Sequence, residues 1–275
     1  MTLSHFFDII MLVILMFGAI IGDLSGSIYE YDQIKKVTQK YIDGQIITKD
    51  SFFSDDTILT IAILDAVLNN KNYEYYLKKY TTEYINYKPN FTPYFKTSFS
   101  PMFIKWVNDN KIGTSIGNGA MMRISPIGYL FDNEKDIITN AKLATMPSHN
   151  TEEAINCATV IALIIFYLRK GLSKEEIIKR LNIKIKYEEF IKFNYTCKDT
   201  IDNCLYALFT SNNFEDSIKK VISYGGDTDT NACIVGSMAE ALFGIDENLI
   251  SEASKKIPFD FVQILDKGYS KIKKY

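Results

Sequence analysis

Two short stretches supply most of the oxygen chemistry this chain can offer: Ser54-Asp55-Asp56-Thr57 and Ser223-Tyr224-Gly225-Gly226-Asp227-Thr228-Asp229-Thr230. Each places carboxylates and hydroxyls directly ahead of an apolar segment, residues 58–68 in the first case and 231–243 in the second. A single acidic helix start is an ordinary N-cap, favoured by the positive end of the helix dipole. Two buried helices that met head to head would bring Asp55, Asp56, Asp227 and Asp229 onto one spot, where the like charges would repel severely unless cations compensated them. His5 and His149 are the only histidines, and Cys157, Cys197, Cys204 and Cys233 show no CxxC spacing. Zinc, copper and iron–sulfur ligation are therefore poorly supplied. Hard oxygen donors point instead to Mg²⁺ or Mn²⁺, and the number of carboxylates to a pair of ions.

A second group of residues suits an anionic or polar ligand. Residues 113–119 read Gly-Thr-Ser-Ile-Gly-Asn-Gly, a flexible loop that runs into Ala120-Met121-Met122-Arg123. Backbone N–H groups exposed ahead of a helix can receive a diphosphate, although Gly-Asn-Gly is also a common turn. Arg123 suits either a phosphate or pairing with one of the acids. His149 stands just before a helix start, a position open to a cap or to a ligand contact.

The elements that must hold these residues are read as helices. Gly18, Gly22 and Gly26 recur every four residues, which on a helix makes one smooth stripe for close approach of another backbone. Glu30 falls near the end of that stripe, and by spacing alone it reads as a surface glutamate. Residues 150–170 carry a complete helix grammar, with Asn150 or Thr151 as cap, Glu152 and Glu153 first, Arg169 and Lys170 last, and Gly171 to stop. Further helices fit residues 174–182, 200–210, 214–224 and 248–256 and the end of the chain, and alternation in Ile183-Lys184-Ile185-Lys186 hints at a strand. Residues 31–53 read as loop. The segment from 71 to 99, rich in tyrosine and lysine, reads as short helices giving way to irregular chain. With so little strand signal, the fold class is all-α, with polar loops gathered at one end of a helical bundle.

At 275 residues, 47% of them hydrophobic and without a Pro/Gly/Ser linker, the chain is expected to form one domain. A formal net charge of −2 without charge blocks leaves no electrostatic footprint for nucleic acid. The apolar run 9–21 is shorter than the roughly 20 residues that span a bilayer. It also lacks the basic flank and cleavage site of a signal peptide. Unpaired cysteines favour a reducing, cytoplasmic setting, and a monomer is expected.

In these motifs the chain resembles the ADP-ribosylglycohydrolases, the family of the dinitrogenase reductase-activating glycohydrolase and the ADP-ribosyl-acceptor hydrolases. Four motifs carry the likeness in order: Gly18-Ala19-Ile20-Ile21-Gly22-Asp23 through Glu30, Ser54-Asp55-Asp56-Thr57, Gly117-Asn118-Gly119-Ala120-Met121-Met122-Arg123, and Gly225-Gly226-Asp227-Thr228-Asp229-Thr230. The likeness runs from about Met16 to about Gly244. It leaves residues 1–15 as an apolar extension and 16–275 as the family-like domain. It implies a single-domain, all-α orthogonal helical bundle with two Mg²⁺ or Mn²⁺ ions in a cleft, held by Ser54, Asp55, Asp56, Asp227, Asp229 and Thr230. It further implies that Ser115, Gly117, Asn118 and Gly119 hold ADP-ribose, that His149 lies on the substrate side, and that Glu30, Asp55 and Asp56 serve catalysis. The implied reaction hydrolyses the bond between ADP-ribose and an acceptor, either a protein or a small conjugate. Its rivals are a catalytically silent ADP-ribose-binding or structural protein and a metal-dependent diphosphate hydrolase. Ser54 stands where the family usually has threonine, and Ile116 where an aromatic is common.

Overall fold

The computed structural model describes residues 16–30, 44–69, 71–89, 97–109, 111–189 and 193–272. The N-terminal extension, most of the loop after Glu30 and the stretch around Pro93 lie outside them. Fourteen α-helices and no strand are present among the described residues. None of these helices is long and apolar enough to cross a membrane.

The organising contact is between α1 (Gly18–Gly26) and α12 (Thr228–Phe243). A Cβ added at Gly18 would lie 2.2 Å from the Gly236 carbonyl oxygen, one at Gly22 2.0 Å from that of Ala232, and one at Gly26 2.2 Å from that of Thr228. Each step of four residues along α1 is thus matched by four residues backwards along α12, so the helices run antiparallel with their backbones in contact. No larger side chain fits at these three positions. Glu240 closes one end by accepting a hydrogen bond from the Gly18 N–H at 2.7 Å, and the Thr228 hydroxyl closes the other by donating to the Gly26 carbonyl at 2.9 Å. This register has a chemical consequence. The C-terminal end of α1, with Glu30 just beyond it, is brought to the N-terminal end of α12, where Asp227 and Asp229 stand.

The helix α2 (Asp55–Leu68) is apolar on every side, and nearly all of it is buried. A helix of that kind belongs inside a large core. It packs against α1 and α12, with α3 (Tyr73–Tyr84) and α14 (Phe259–Ile272) outside it. On the other side of α12 lie α8 (Glu152–Arg169), capped by the Thr151 hydroxyl, α10 (Cys197–Phe209) and α11 (Phe214–Ile222). The helices α9 (Lys174–Arg180) and α13 (Glu247–Ser254) complete the expected set, the former with a full Ser173/Glu176 capping box. The α5 helix (Gly119–Met122) forms at the helix start read ahead of Arg123, whereas the short α4 (Pro101–Val107) and α6 (Ser125–Leu130), and the longer α7 (Glu134–Thr145), were not among the expected elements.

The strand at which the alternation hints does not form among the described residues. Residues 183–189 have no regular secondary structure, with Ile183 and Ile185 partly buried and Lys184 and Lys186 exposed, so the alternation reports a real in/out pattern. Its backbone is paired to a side chain instead of a neighbouring strand. Asn203 accepts from the Glu188 N–H at 2.9 Å and donates to the Glu188 carbonyl at 2.7 Å.

Candidate metal centre and ligand cleft

Asp23, inside α1 and fully buried, fixes the start of α2. Its carboxylate accepts from the Ser54 N–H at 2.8 Å, the Ser54 hydroxyl at 2.8 Å, the Thr57 N–H at 3.1 Å and the Thr57 hydroxyl at 2.5 Å. An acid supplied by one helix thereby satisfies the orphan N–H groups of another, which aims Asp55 and Asp56 away from the core. The start of α12 is set by Gly225 and Gly226, both at φ 74°, a conformation that side-chain-bearing residues rarely adopt. Asn194 accepts from the Asp227 N–H at 2.9 Å, and Asn118 donates to the Asp227 carboxylate at 2.7 Å.

The two acidic helix starts therefore meet, as the pairing of motifs required. Carboxylate oxygens of Asp23, Asp56 and Asp229 lie within 4.8 Å of one another, and so do those of Glu30, Asp227 and Asp229. Asp229 belongs to both groups. The Thr230 hydroxyl donates to Asp56 Oδ2 at 3.2 Å, while Asp56 Oδ1 is buried with no hydrogen-bond partner among the described residues. An orphaned, buried carboxylate oxygen in a residue grouped with other carboxylates is costly as it stands and would be satisfied by a cation. Oxygen donors alone, without a histidine or cysteine in either group, fit Mg²⁺ or Mn²⁺.

Electrostatics say the same. Burial, followed by Asp229, Asp55 and Asp23, pushes Glu30 up to about 9. Burial raises Asp23 to about 6, and burial raises Asp55 and Asp227 to about 7 each. Asp56 and Asp229 rise well above the usual carboxylate range, again through burial first and their acidic neighbours second. A raised folded-state pKa means that the folded protein holds protons which the unfolded chain releases. The resulting stability is complete below about pH 4 and is lost as pH rises through these folded values. In excess chelator, raising the pH from 5 to 8 should lower the melting temperature by roughly 5–10 °C, since a few kcal/mol shift a protein of this size by about that much. Saturating Mn²⁺ should flatten the slope. Melting scans at several pH values check this, and a chelated protein that melts higher at pH 8 than at pH 5 would contradict the charge assignment.

The carboxylates line a cleft of about 670 Å³. Glu30, Asp55, Asp56, Asp227, Asp229 and Thr230 lie along it, together with Ser115, Gly117, Asn118, Gly119 and His149. Ser54 is the sequence candidate that does not line it. Its hydroxyl is buried, bonded to Asp23, and caps α2 by accepting from the Asp56 N–H. Glu30 is half-buried among the acids, so it is not the surface residue that spacing alone indicates.

The loop 113–119 lines the same cleft at Gly113, Thr114, Ser115, Gly117, Asn118 and Gly119. It is stitched to 147–150 by the Gly113 N–H to Pro147 carbonyl and Asn150 N–H to Gly113 carbonyl bonds, both 2.8 Å, and to 195–197 by the Asn118 N–H to Tyr195 carbonyl and Cys197 N–H to Ile116 carbonyl bonds, both 2.9 Å. The Ser115 hydroxyl accepts from the Gly117 N–H at 3.0 Å, tightening the turn. Arg123 is buried, lines the cleft and hydrogen bonds Ser148, and its charge acts favourably on Asp55. Sequence reasoning gave Asp23 and Asn194 no role. For Asp23 a signal existed, since a carboxylate within so apolar a helix must be paired. For Asn194 there was none, because two of its partners, Asp227 and Asn231, are distant in sequence.

Comparison with known proteins agrees with this picture. The family model described as ADP-ribosylglycohydrolase matches residues 13–272. An ADP-ribosylarginine hydrolase of Pseudomonas putida (strain GB-1) is 28% identical over 148 residues, covering 48% of this chain and 40% of that protein. The match thus spans less than half the length of that relative. A putative ADP-ribosyl glycohydrolase of Acanthamoeba polyphaga mimivirus is 25% identical over 285 residues, covering 82% of this chain and 84% of its own. A solved structure titled ADP-ribosylglycohydrolase-related protein complex superposes with a TM-score of 0.69 at 16% identity, over 93% of this chain and 95% of that one, which establishes the shared fold. Since the family model runs through nearly the whole chain, from the glycine stripe of α1 to the end of α14, the chain belongs to the ADP-ribosylglycohydrolase family.

Proposed function

We propose that this protein is a divalent-metal-dependent hydrolase that cleaves the glycosidic bond between ADP-ribose and an acceptor. The observation that carries this reading is the sharing of Asp229 between two carboxylate groups in a cleft that the glycine-rich loop also lines. Asp55, Asp56, Asp227, Asp229 and Thr230 would hold the ions. Asp23 orients the helix that presents the first two. Bound there, a cation pair would supply Lewis-acid polarisation of ribose oxygens and neutralise the acids.

The remaining work falls to the chain itself. The Gly119 N–H suits the diphosphate, and Asn118 ties that loop to Asp227. Glu30 stands where its carboxylate can take a proton from the attacking water or return one to the leaving acceptor. Burial of Asp56, Asp227 and Asp229 keeps bulk water from screening them.

A panel of arginine-, serine- and nucleobase-linked ADP-ribose substrates, assayed with Mg²⁺ and with Mn²⁺ and resolved by mass spectrometry, tests the reading. Intact ADP-ribose should be released from at least one substrate. Release of AMP would make the protein a diphosphate hydrolase instead, and tight binding of ADP-ribose without turnover of any conjugate would make it a silent binder.

A further inference from the structure

Along the cleft, three buried side chains form a chain of hydrogen bonds that the proposed chemistry does not use. Arg123 Nη2 lies 2.7 Å from the Ser148 hydroxyl, and the Ser148 hydroxyl lies 2.7 Å from His149 Nδ1. The same Nη2 is 3.5 Å from His149 Nδ1. All three residues are deeply buried, with exposures of 1%, 2% and 4% in that order. Phe103 packs over the group, its ring 5.6 Å from the guanidinium carbon and 6.5 Å from the imidazole.

The direction of these bonds follows from chemistry alone. A guanidinium only donates, so the Ser148 oxygen must accept from Arg123. The one hydroxyl hydrogen is then left for His149 Nδ1, the only other partner of that oxygen among the described residues. Nδ1 is therefore the acceptor, and the ring proton sits on Nε2. The reverse tautomer would aim an Nδ1–H at a guanidinium N–H and leave the Ser148 hydrogen without a partner. We infer that Arg123 and Ser148 are positioning residues that hold His149 as its Nε2–H tautomer, so that it faces the loop as a hydrogen-bond donor and not as a base.

Nε2 faces the part of the cleft where a donor is useful. It lies 3.5 Å from the position a Cβ would take at Gly117 and 3.7 Å from that at Gly119, so the two glycines leave its N–H uncovered. Burial and the Arg123 charge keep the ring uncharged, holding its pKa well below the usual histidine value. The matching ligand atom is an oxygen that accepts only, as phosphate oxygens do. That this oxygen belongs to ADP-ribose rests on the function proposed above, whereas the tautomer does not.

The experiment has two arms. Long-range ¹H–¹⁵N correlation spectra of the full-length, ligand-free protein read the tautomer directly, and with only two histidines in the chain the assignment needs one His5→Gln control. The expected result is a pyridine-type Nδ1 and a pyrrole-type Nε2 for His149 at neutral pH, converting to a tautomer mixture in Ser148→Ala and restored in Ser148→Thr. In the second arm, calorimetric titration with free ADP-ribose should show about a 10-fold weaker Kd for Ser148→Ala, the scale of a lost bond to a charged group. His149→Gln, which keeps an N–H donor near the Nε2 position, should bind more tightly than His149→Ala. A dominant Nδ1–H form in the wild-type spectrum overturns the inference even if Ser148→Ala does not fold, and so does a tautomer that ignores the loss of Ser148. Failure of the wild-type protein to bind ADP-ribose would count against the proposed function, while the spectra would still decide the tautomer.

Discussion

Asp229→Asn should lose Mn²⁺ binding at both ends of the acidic cluster and lower turnover by more than about 100-fold, because even outer partners of a metal site cost 10–100-fold when removed. Asp229 is singled out by geometry. Its carboxylate stands within 4.8 Å of Asp23 and Asp56 on one side and of Glu30 and Asp227 on the other. Asp55→Asn, by contrast, removes a carboxylate outside both of those groups and should leave more residual affinity. The chelated Asp229→Asn protein should melt higher than chelated wild type, since neutralising one acid relieves repulsion that the folded state otherwise stores as raised pKa values. Loss of affinity combined with gain of apo stability separates a ligand from a residue that merely holds the fold. Calorimetry with Mn²⁺ and melting scans in chelator measure both, and a variant that retains wild-type affinity would remove Asp229 from the site.

The parts of this site that sequence could show are those in which one residue's neighbours state its task. Ser54 reads as a cap because acids and an apolar run follow it, and it caps α2. Residues 150–170 carry start and stop signals within one helix, and the helix spans Glu152–Arg169. The stripe Gly18, Gly22, Gly26 announced a close backbone contact, yet nothing in its spacing named the partner. Only the fold shows that Thr228, Ala232 and Gly236 answer it at the same interval. Asp23 escaped for a related reason: its partners, Ser54 and Thr57, come from a helix more than thirty residues on. The Ile183–Lys186 alternation misled because a period of two reports an extended chain with two unlike sides, whereas a strand also needs a partner. Here Asn203 takes that place.

Glu30 draws these threads together, because its position is produced by the glycine register and not by its own surroundings in the sequence. The antiparallel contact of α1 with α12 delivers it to Asp227 and Asp229, and there burial and neighbouring negative charge hold its pKa at about 9. A carboxylate with so high a proton affinity is suited to accept a proton once cations offset its neighbours, since proton transfer is most effective when the pKa lies near the working pH. Glu30→Gln preserves the shape and removes that capacity. Turnover should fall by about 100-fold or more, the scale of a lost general acid or base, with KM little changed. Mn²⁺ affinity should stay within a few-fold of wild type, because the aspartates of α2 and α12 remain. Steady-state kinetics on the substrate identified from the panel, read beside Mn²⁺ calorimetry, decides the matter. Near wild-type turnover would leave Glu30 a bystander at the edge of the cluster, and a parallel collapse of Mn²⁺ affinity would make it a ligand.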